Sequence, residues 1–180
     1  MKKPVYKLFA TALFALLLLM LAGCIEKKET QTQDENIKTI EAVLQNSLTG
    51  PSDELKQILD KESEEKFEAL NQYNENLFKD YFANETSYTE FVNSYGSTLM
   101  IQAGVNGEQY DYYNFKINNI EYEKVDAKDS VYNFSVELQF QKEGSEKSKV
   151  EIVNGQANLN DEHKIEEMLI RDKDLSKVYD

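Results

Sequence analysis

The part of the chain that follows residue 34 repeats its apolar residues at the spacing of an α-helix. One face of residues 35–48 is apolar, which predicts a first helix there. Gly50 and Pro51 are expected to end this helix and begin a second, because glycine favours the position after a helix and proline is tolerated in the first turn. A longer third stripe follows the acidic run Glu62–Glu65, which is either a break or a solvated turn. The apolar positions of these three stripes are Ile37, Ile40, Val43, Leu44, Leu48, Leu55, Ile58, Leu59, Phe67, Leu70, Tyr73, Leu77, Phe78, Tyr81 and Phe82.

A capping box at Ser87–Glu90 indicates the start of a fourth helix. In this motif the serine hydroxyl accepts a hydrogen bond from the amide three residues on, and the glutamate reaches back to the serine amide. The helix should end near Gly104. Its apolar positions are Phe91, Val92, Tyr95 and Leu99.

From residue 115 onward the apolar period changes from 3.6 to 2, which predicts β-strands. The clearest strand is Tyr132–Phe140, where apolar and polar residues alternate without a fault. The strand before it changes phase, so we expect a bulge near Asn118-Asn119. After a turn at Lys142–Ser145 comes a long strand that should be shifted at Asn154-Gly155, and a second turn at Asn160–His163 leads to the last strand. The remaining apolar strand positions are Phe115, Ile117, Ile120, Tyr122, Val150, Ile152, Ala157, Leu159, Ile165, Met168 and Ile170.

Short turns between these strands favour antiparallel neighbours. The order of elements therefore predicts an α+β fold in which N-terminal helices pack on one face of a curved four-stranded antiparallel sheet. Every second residue of the Tyr132–Phe140 strand is polar, so the opposite face of the sheet should meet solvent or a partner.

The N-terminus has the layout of a secretory signal peptide. Three lysines, at positions 2, 3 and 7, precede the uncharged residues 8–23, which end in small side chains. A membrane-spanning helix is the alternative, but a span needs about 20 apolar residues and this stretch is shorter. Leu21-Ala22-Gly23-Cys24 resembles the lipobox of bacterial lipoproteins. That resemblance implies cleavage between Gly23 and Cys24 and a diacylglycerol on the Cys24 thiol, which places the protein on the extracytoplasmic face of the cell membrane. An ordinary secretory signal with a stray cysteine is the remaining alternative.

These features divide the chain into residues 1–23 as a lipoprotein signal peptide, residues 24–35 as a lipidated tether and residues 36–180 as one domain. Glu26–Glu35 contains no apolar residue, so we expect it to be flexible, with a root-mean-square reach of about 15–20 Å. Cys24 is the only cysteine, which excludes a disulfide framework within the chain.

The charge of the chain excludes one class of partner. The full sequence has a net charge of −13, and removal of residues 1–23 takes away three lysines and no acidic residue, which leaves −16. A domain this acidic repels phosphate backbones, so nucleic-acid binding is not expected.

The order of about three helices followed by a four-stranded curved meander resembles the NTF2-like (cystatin-like) superfamily. More closely, the chain resembles small NTF2-like lipoproteins of low-GC Gram-positive bacteria, and the likeness covers nearly the whole mature chain. The stretches that carry it are Gly50–Leu59, Tyr73–Phe82, Val131–Phe140 and Gly155–Ile170. The resemblance implies a cone between helices and sheet, which enzymes of this superfamily line with an acid, a base or tyrosines. It also implies homodimers that form through the sheet.

Five tyrosines on the apolar stripes are candidates for lining that cone. A pair of tyrosines with a buried aspartate would polarise a carbonyl. However, no acidic residue falls on an inward strand position, and buried tyrosines are usually core residues with one satisfied hydroxyl. The five candidates are Tyr73, Tyr81, Tyr95, Tyr122 and Tyr132.

His163 is the only histidine, and it falls in a turn beside Asp161 and Glu162. We expect it to be an exposed turn residue, away from the apolar stripes, because a catalytic base needs a pocket and a partner. A structural zinc site needs about four nitrogen or sulfur ligands, which this chain does not supply. The sequence therefore predicts no catalytic residue, no metal and no cofactor.

Two main classes of function remain, and the cone distinguishes them. The first is a non-enzymatic surface lipoprotein that binds an unknown protein or small ligand through the cone or the open sheet face. The second is an isomerase- or dehydratase-type enzyme acting on a small hydrophobic molecule, which would need a pocket of about 300 Å³ or more. A structural role in the cell envelope is a less specific third class. The missing acid–base pair favours the first class.

Overall fold

A computed structural model describes residues 34–97, 105–106, 109–110, 113–125 and 130–171. Within these ranges four α-helices come first and six strands follow, and a turn of 3₁₀-helix, Lys79–Tyr81, succeeds the third helix. The helices are α1 Glu35–Leu48, α2 Asp53–Leu59, α3 Ser63–Phe78 and α4 Glu85–Ser94. The strands are β1 Val105–Asn106, β2 Gln109–Tyr110, β3 Tyr113–Lys124, β4 Val131–Lys142, β5 Ser148–Leu159 and β6 Ile165–Arg171.

The first helix begins at a side-chain cap and matches the predicted range. Asp34 Oδ1 accepts a hydrogen bond from the amide of Asn36 at 3.0 Å, which satisfies one of the free amides of the first turn. Glu35 is the first residue of α1. It therefore belongs to the helix and not to the predicted tether.

The connection between α1 and α2 needs a glycine. Gly50 follows the C-terminal cap residue Thr49 and has a φ of +130°, a conformation that L side chains rarely adopt, so the expected role of this glycine is confirmed. Ser52 caps α2 by accepting from the amide of Leu55 at 3.1 Å. Pro51 precedes that cap and lies outside the helix, so the prediction that it occupies the first turn of α2 was wrong.

Residues 60–62 separate α2 from α3. Of the acidic run Glu62–Glu65, only Glu62 lies in this break, while Glu64 and Glu65 lie in the first turn of α3.

The predicted cap of α4 was wrong. At α4 the cap is Asn84, whose Oδ1 accepts from the amide of Ser87 at 3.0 Å. Asparagine caps as well as serine does, and this earlier start makes Ser87 the third helical residue. The helix ends at Ser94 and not near Gly104, while Leu99 lies outside the described residues.

The main sheet has the strand order β3-β4-β5-β6, and each neighbouring pair is antiparallel, so the predicted fold class is confirmed. The register of β3 against β4 shifts between Ile117 and Asn119, which confirms the predicted bulge. A second irregularity lies at the start of β6, where Leu159 faces Ile165 but Asn158 faces Glu167. The short strands β1 and β2 form a separate antiparallel pair.

The predicted shift at Asn154-Gly155 was wrong, and so was the inward placement of two residues. Strand β5 stays in register with β4 throughout its length, which turns Val153 into the core and leaves Val150 49% and Ile152 46% exposed. Gly155 serves packing instead. A Cβ there would lie 2.1 Å from the Phe134 ring, so the missing side chain makes room for that ring.

The core lies between the helices and one face of the sheet, where the alternating residues of β4 are buried as predicted. A second, smaller cluster joins α2 to α3 through Leu55, Ile58, Leu59 and Tyr73. Phe67, the first residue of the predicted third stripe, is 69% exposed, because α3 extends past the core at its N-terminal end. The core aromatic residues of the main cluster are Phe78, Phe82, Phe91, Phe115, Tyr132, Phe134 and Phe140.

Candidate functional site

A chain of hydrogen bonds joins the start of α1 to the turn between β5 and β6. Tyr132 donates its hydroxyl hydrogen to Asp34 Oδ2 at 2.5 Å. The Tyr132 hydroxyl in turn accepts from Asn36 Nδ2 at 3.4 Å. Asn36 Oδ1 then lies 2.8 Å from His163 Nδ1. Because Asn36 is 8% exposed and Tyr132 2% exposed, this network runs through the edge of the core.

The network pairs one ring nitrogen of His163 with the amide of Asn36. In the orientation in which the Asn36 amide nitrogen faces Tyr132, the amide oxygen accepts from the N–H of His163 Nδ1. His163 is exposed, as predicted, but its connection to Tyr132 contradicts the expectation that it lies away from the apolar stripes. Among the described residues no three histidine, cysteine or acidic side chains are placed to hold a metal ion.

The structure does not bring the five candidate tyrosines together. Tyr73 belongs to the smaller α2–α3 cluster, where its hydroxyl lies 3.0 Å from Ser52 Oγ. Tyr81 and Tyr95 are half-buried against the main core, and the Tyr95 ring lies 5.7 Å from that of Phe91. The Tyr132 hydroxyl is hydrogen-bonded to Asp34 in the network described above. These four have the surroundings of structural tyrosines.

Tyr122 differs from the other four. Its hydroxyl oxygen is buried and has no hydrogen-bond partner. Burial raises the pKa of Tyr122, and the nearby carboxylate of Glu41 raises it further. A buried hydroxyl without a hydrogen-bond partner lowers the stability of the fold, so the Tyr122 hydroxyl is the clearest destabilising group in the part of the core that the structure describes.

Four hollows lined by described residues lie at the surface, and their volumes are between about 170 and about 290 Å³. None of the four is lined by residues from both a helix and the main sheet. Between the helices and the sheet the described residues form the main hydrophobic cluster.

The outer face of the sheet, opposite the helices, is exposed. Polar side chains alternate along β4 on this side, as predicted. Three large apolar side chains also emerge there: Val150 and Ile152 on β5 and Leu169, 47% exposed, on β6. A shallow hollow of about 240 Å³ adjoins Glu121, Ser135 and Asn154 on this face.

The predicted lipidation site lies outside the described residues. Gly23 and Cys24 fall in residues 1–33, so the structure does not describe their surroundings. In the described part of the chain no helix has the length and apolar character needed to cross a membrane.

The class of protein that the fold defines is an α+β domain with helices on one face of an open antiparallel sheet, consistent with the NTF2-like arrangement. No family model and no curated protein matches the chain. A solved structure similar to it is the NMR solution structure of the "putative transfer protein TraH from Gram-positive conjugative plasmid pIP501". The match has a TM-score of 0.50 at 14% identity and covers 78% of this chain and 94% of TraH. At that identity the likeness establishes the fold alone.

Proposed function

We propose that the mature protein is held on the extracytoplasmic face of the cell membrane by a diacylglycerol on Cys24 and acts there as a non-enzymatic interaction module. The observation that supports the interaction role is the contrast between the two faces of the sheet. On the helix-facing side the described apolar side chains are buried in the main core, whereas the outer side exposes Val150, Ile152 and Leu169. The lipobox-like sequence Leu21–Cys24 supports the anchor.

The enzymatic alternative has one observation in its favour, which is the buried, unpaired hydroxyl of Tyr122 near Glu41. A reaction also needs room for a substrate beside the reactive groups. The hollow that Tyr122 adjoins is shallow, and its other lining includes Glu121, Asn133 and Ser135, which belong to the outer face. We therefore favour binding over catalysis.

The partner we propose is another protein that covers the apolar side chains of the outer face. Three exposed apolar groups with polar side chains between them are typical of a weak or transient interface and not of an obligate one. A second copy of the chain is the first candidate to measure, because the NTF2-like resemblance implies dimers through the sheet. The transfer role named for TraH is not carried over, since the likeness is one of fold.

The anchor is tested by growing cells with labelled palmitate and following the membrane fraction. The wild-type protein should carry the label and sediment with membranes, whereas Cys24→Ser should lose both and keep its fold. A wild-type protein without label would contradict the anchor.

The interface is tested with a double variant on the outer face and a single control variant elsewhere on the surface. Ile152→Lys/Leu169→Lys places charges on the outer face, while Phe67→Lys places one on the N-terminal part of α3, where Phe67 is even more exposed. For wild type and Phe67→Lys, sedimentation should show self-association, or co-purification from membranes should recover a defined partner. The double variant should show neither. Equal association of all three proteins would exclude the outer face.

A further inference from the structure

One surface hollow of this acidic protein is surrounded by lysines. It has a volume of about 170 Å³ and lies where β4 turns into β5. Its lining residues are Tyr113, Phe140, Lys142, Ser145, Lys147 and Lys149.

Strand pairing places aromatic and basic groups on the same side of the sheet. Tyr113 faces Lys142 across β3 and β4, and Phe140 faces Lys149 across β4 and β5. The rings of Tyr113 and Phe140 lie 6.4 Å apart. Phe140 is 2% exposed, while the three lysines are exposed. The hollow therefore combines an aromatic floor with a cationic rim.

Three glutamates also lie beside the hollow, so the described charged groups around it, four lysines including Lys56 and three glutamates, leave only a weakly positive local charge. Glu143 is engaged by Lys56 of α2, with Nζ 3.1 Å from Oε2. Glu146 lies in the same turn, and Glu151 lies two residues beyond Lys149 on the same side of β5. At physiological ionic strength charges act over about 8 Å, so a ligand in the hollow meets this local charge and not the net charge of the whole domain.

We propose that this hollow binds a phosphate group joined to a flat apolar group. A phosphate monoester carries a charge of about −1.5 to −2 near neutral pH and has three acceptor oxygens, which suits several lysine donors better than a single carboxylate does. The apolar part packs on the half-buried ring of Tyr113, beside the small exposed edge of Phe140. The site deepens the proposed function by naming the chemistry of a ligand.

The site rests on the proposed interaction role, and its ligand comes from solution, because a phospholipid headgroup carries a phosphodiester and no flat apolar group. The vesicle measurements in the test below distinguish the two sources.

The test is calorimetric titration of the mature chain carrying Cys24→Ser, which has no lipid of its own, with phenyl phosphate, inorganic phosphate and phenol. Phenyl phosphate should bind most tightly. Lys147→Gln/Lys149→Gln should weaken its binding about tenfold or more, because charge-assisted hydrogen bonds are lost. The control Lys61→Gln/Lys66→Gln removes the same charge from the Lys61–α3 region and should change binding less than about twofold.

Three results would overturn the proposal. The first is the absence of saturable phenyl phosphate binding, and the second is equal weakening of that binding by the two double variants. The third is binding to phosphatidylglycerol vesicles that depends on Lys147 and Lys149 and is not seen with phosphatidylcholine vesicles. The last result would assign the site to a headgroup. None of them bears on fatty-acid labelling of Cys24 or on the outer-face variants, so failure here is distinguishable from failure of the proposed function.

Discussion

Asn36 and His163 are 127 positions apart in the chain, yet Asn36 Oδ1 and His163 Nδ1 lie 2.8 Å apart. His163 has a φ of +60°, a left-handed conformation that costs a residue other than glycine about 1–2 kcal/mol. The turn that holds this conformation is itself hydrogen-bonded, because the Asn160 carbonyl accepts from the amide of His163 at 3.0 Å. Asn160 Oδ1 also accepts from the amides of Glu162 and Lys164 at 3.0 and 2.9 Å. The turn thus directs the imidazole ring of His163 toward α1.

Replacing Asn36 with leucine should lower the free energy of unfolding by about 1–3 kcal/mol, because the Tyr132 hydroxyl loses its donor at a buried position. The measurement is urea unfolding of the mature chain. His163→Asn serves as the control, since asparagine tolerates the left-handed conformation and the position is exposed. We expect a loss below about 1 kcal/mol for the control. Equal losses for both variants would show that the contribution comes from the turn and not from Asn36.

Replacing Tyr122 with phenylalanine should leave stability at pH 7 unchanged or raise it by about 1–2 kcal/mol, because the variant removes a buried hydroxyl without a partner. The pH dependence has a definite sign. The folded protein holds the Tyr122 proton more tightly than the unfolded chain does, since the pKa is raised by burial and by Glu41. Stability from this group is complete below the unfolded pKa of about 10 and is lost as pH rises above it. Wild type should therefore lose more stability than Tyr122→Phe between pH 9 and pH 11, and parallel losses would contradict the assignment.

Truncating Phe134 to alanine should cost about 3–5 kcal/mol, because the ring is 3% exposed at the centre of the sheet. Urea unfolding measures the loss. A loss below about 1 kcal/mol would show that the site collapses around the smaller side chain.

Replacing Gly155 with alanine should cost about 1–3 kcal/mol through overpacking, because the added Cβ would lie 2.1 Å from the Phe134 ring and 2.3 Å from the Leu169 carbonyl oxygen. Gly144→Ala is the matched control. Gly144 has a φ of +79° and open space around its missing Cβ, so its cost of about 1 kcal/mol is one of backbone conformation only. In the Phe134→Ala background the cost of Gly155→Ala should fall but not vanish, since the contact with the Leu169 carbonyl persists. An unchanged cost would rule out the ring as the cause.

Local patterns in the sequence determined the elements whose stabilising contacts repeat along the chain. The alternation of Tyr132–Phe140 placed the central strand and its buried face, and the apolar face of residues 35–48 placed α1. The change of phase near Asn118 located the bulge. These succeed because each side chain of a regular helix or strand points in a direction that its own position specifies.

Only the tertiary structure decided which of these side chains meet. Phe67 continues a helical stripe but has no core opposite it, and Ile152 is apolar but lies on the outer face because β5 keeps its register with β4. The link from Asp34 through Tyr132 and Asn36 to His163 joins residues that are as much as 127 positions apart. The lysine-rimmed hollow likewise exists only because strand pairing brings Tyr113 and Lys149 to one end of the sheet. Periodicity reports the direction of a side chain relative to its own backbone, whereas such contacts depend on the packing of elements that are distant in sequence.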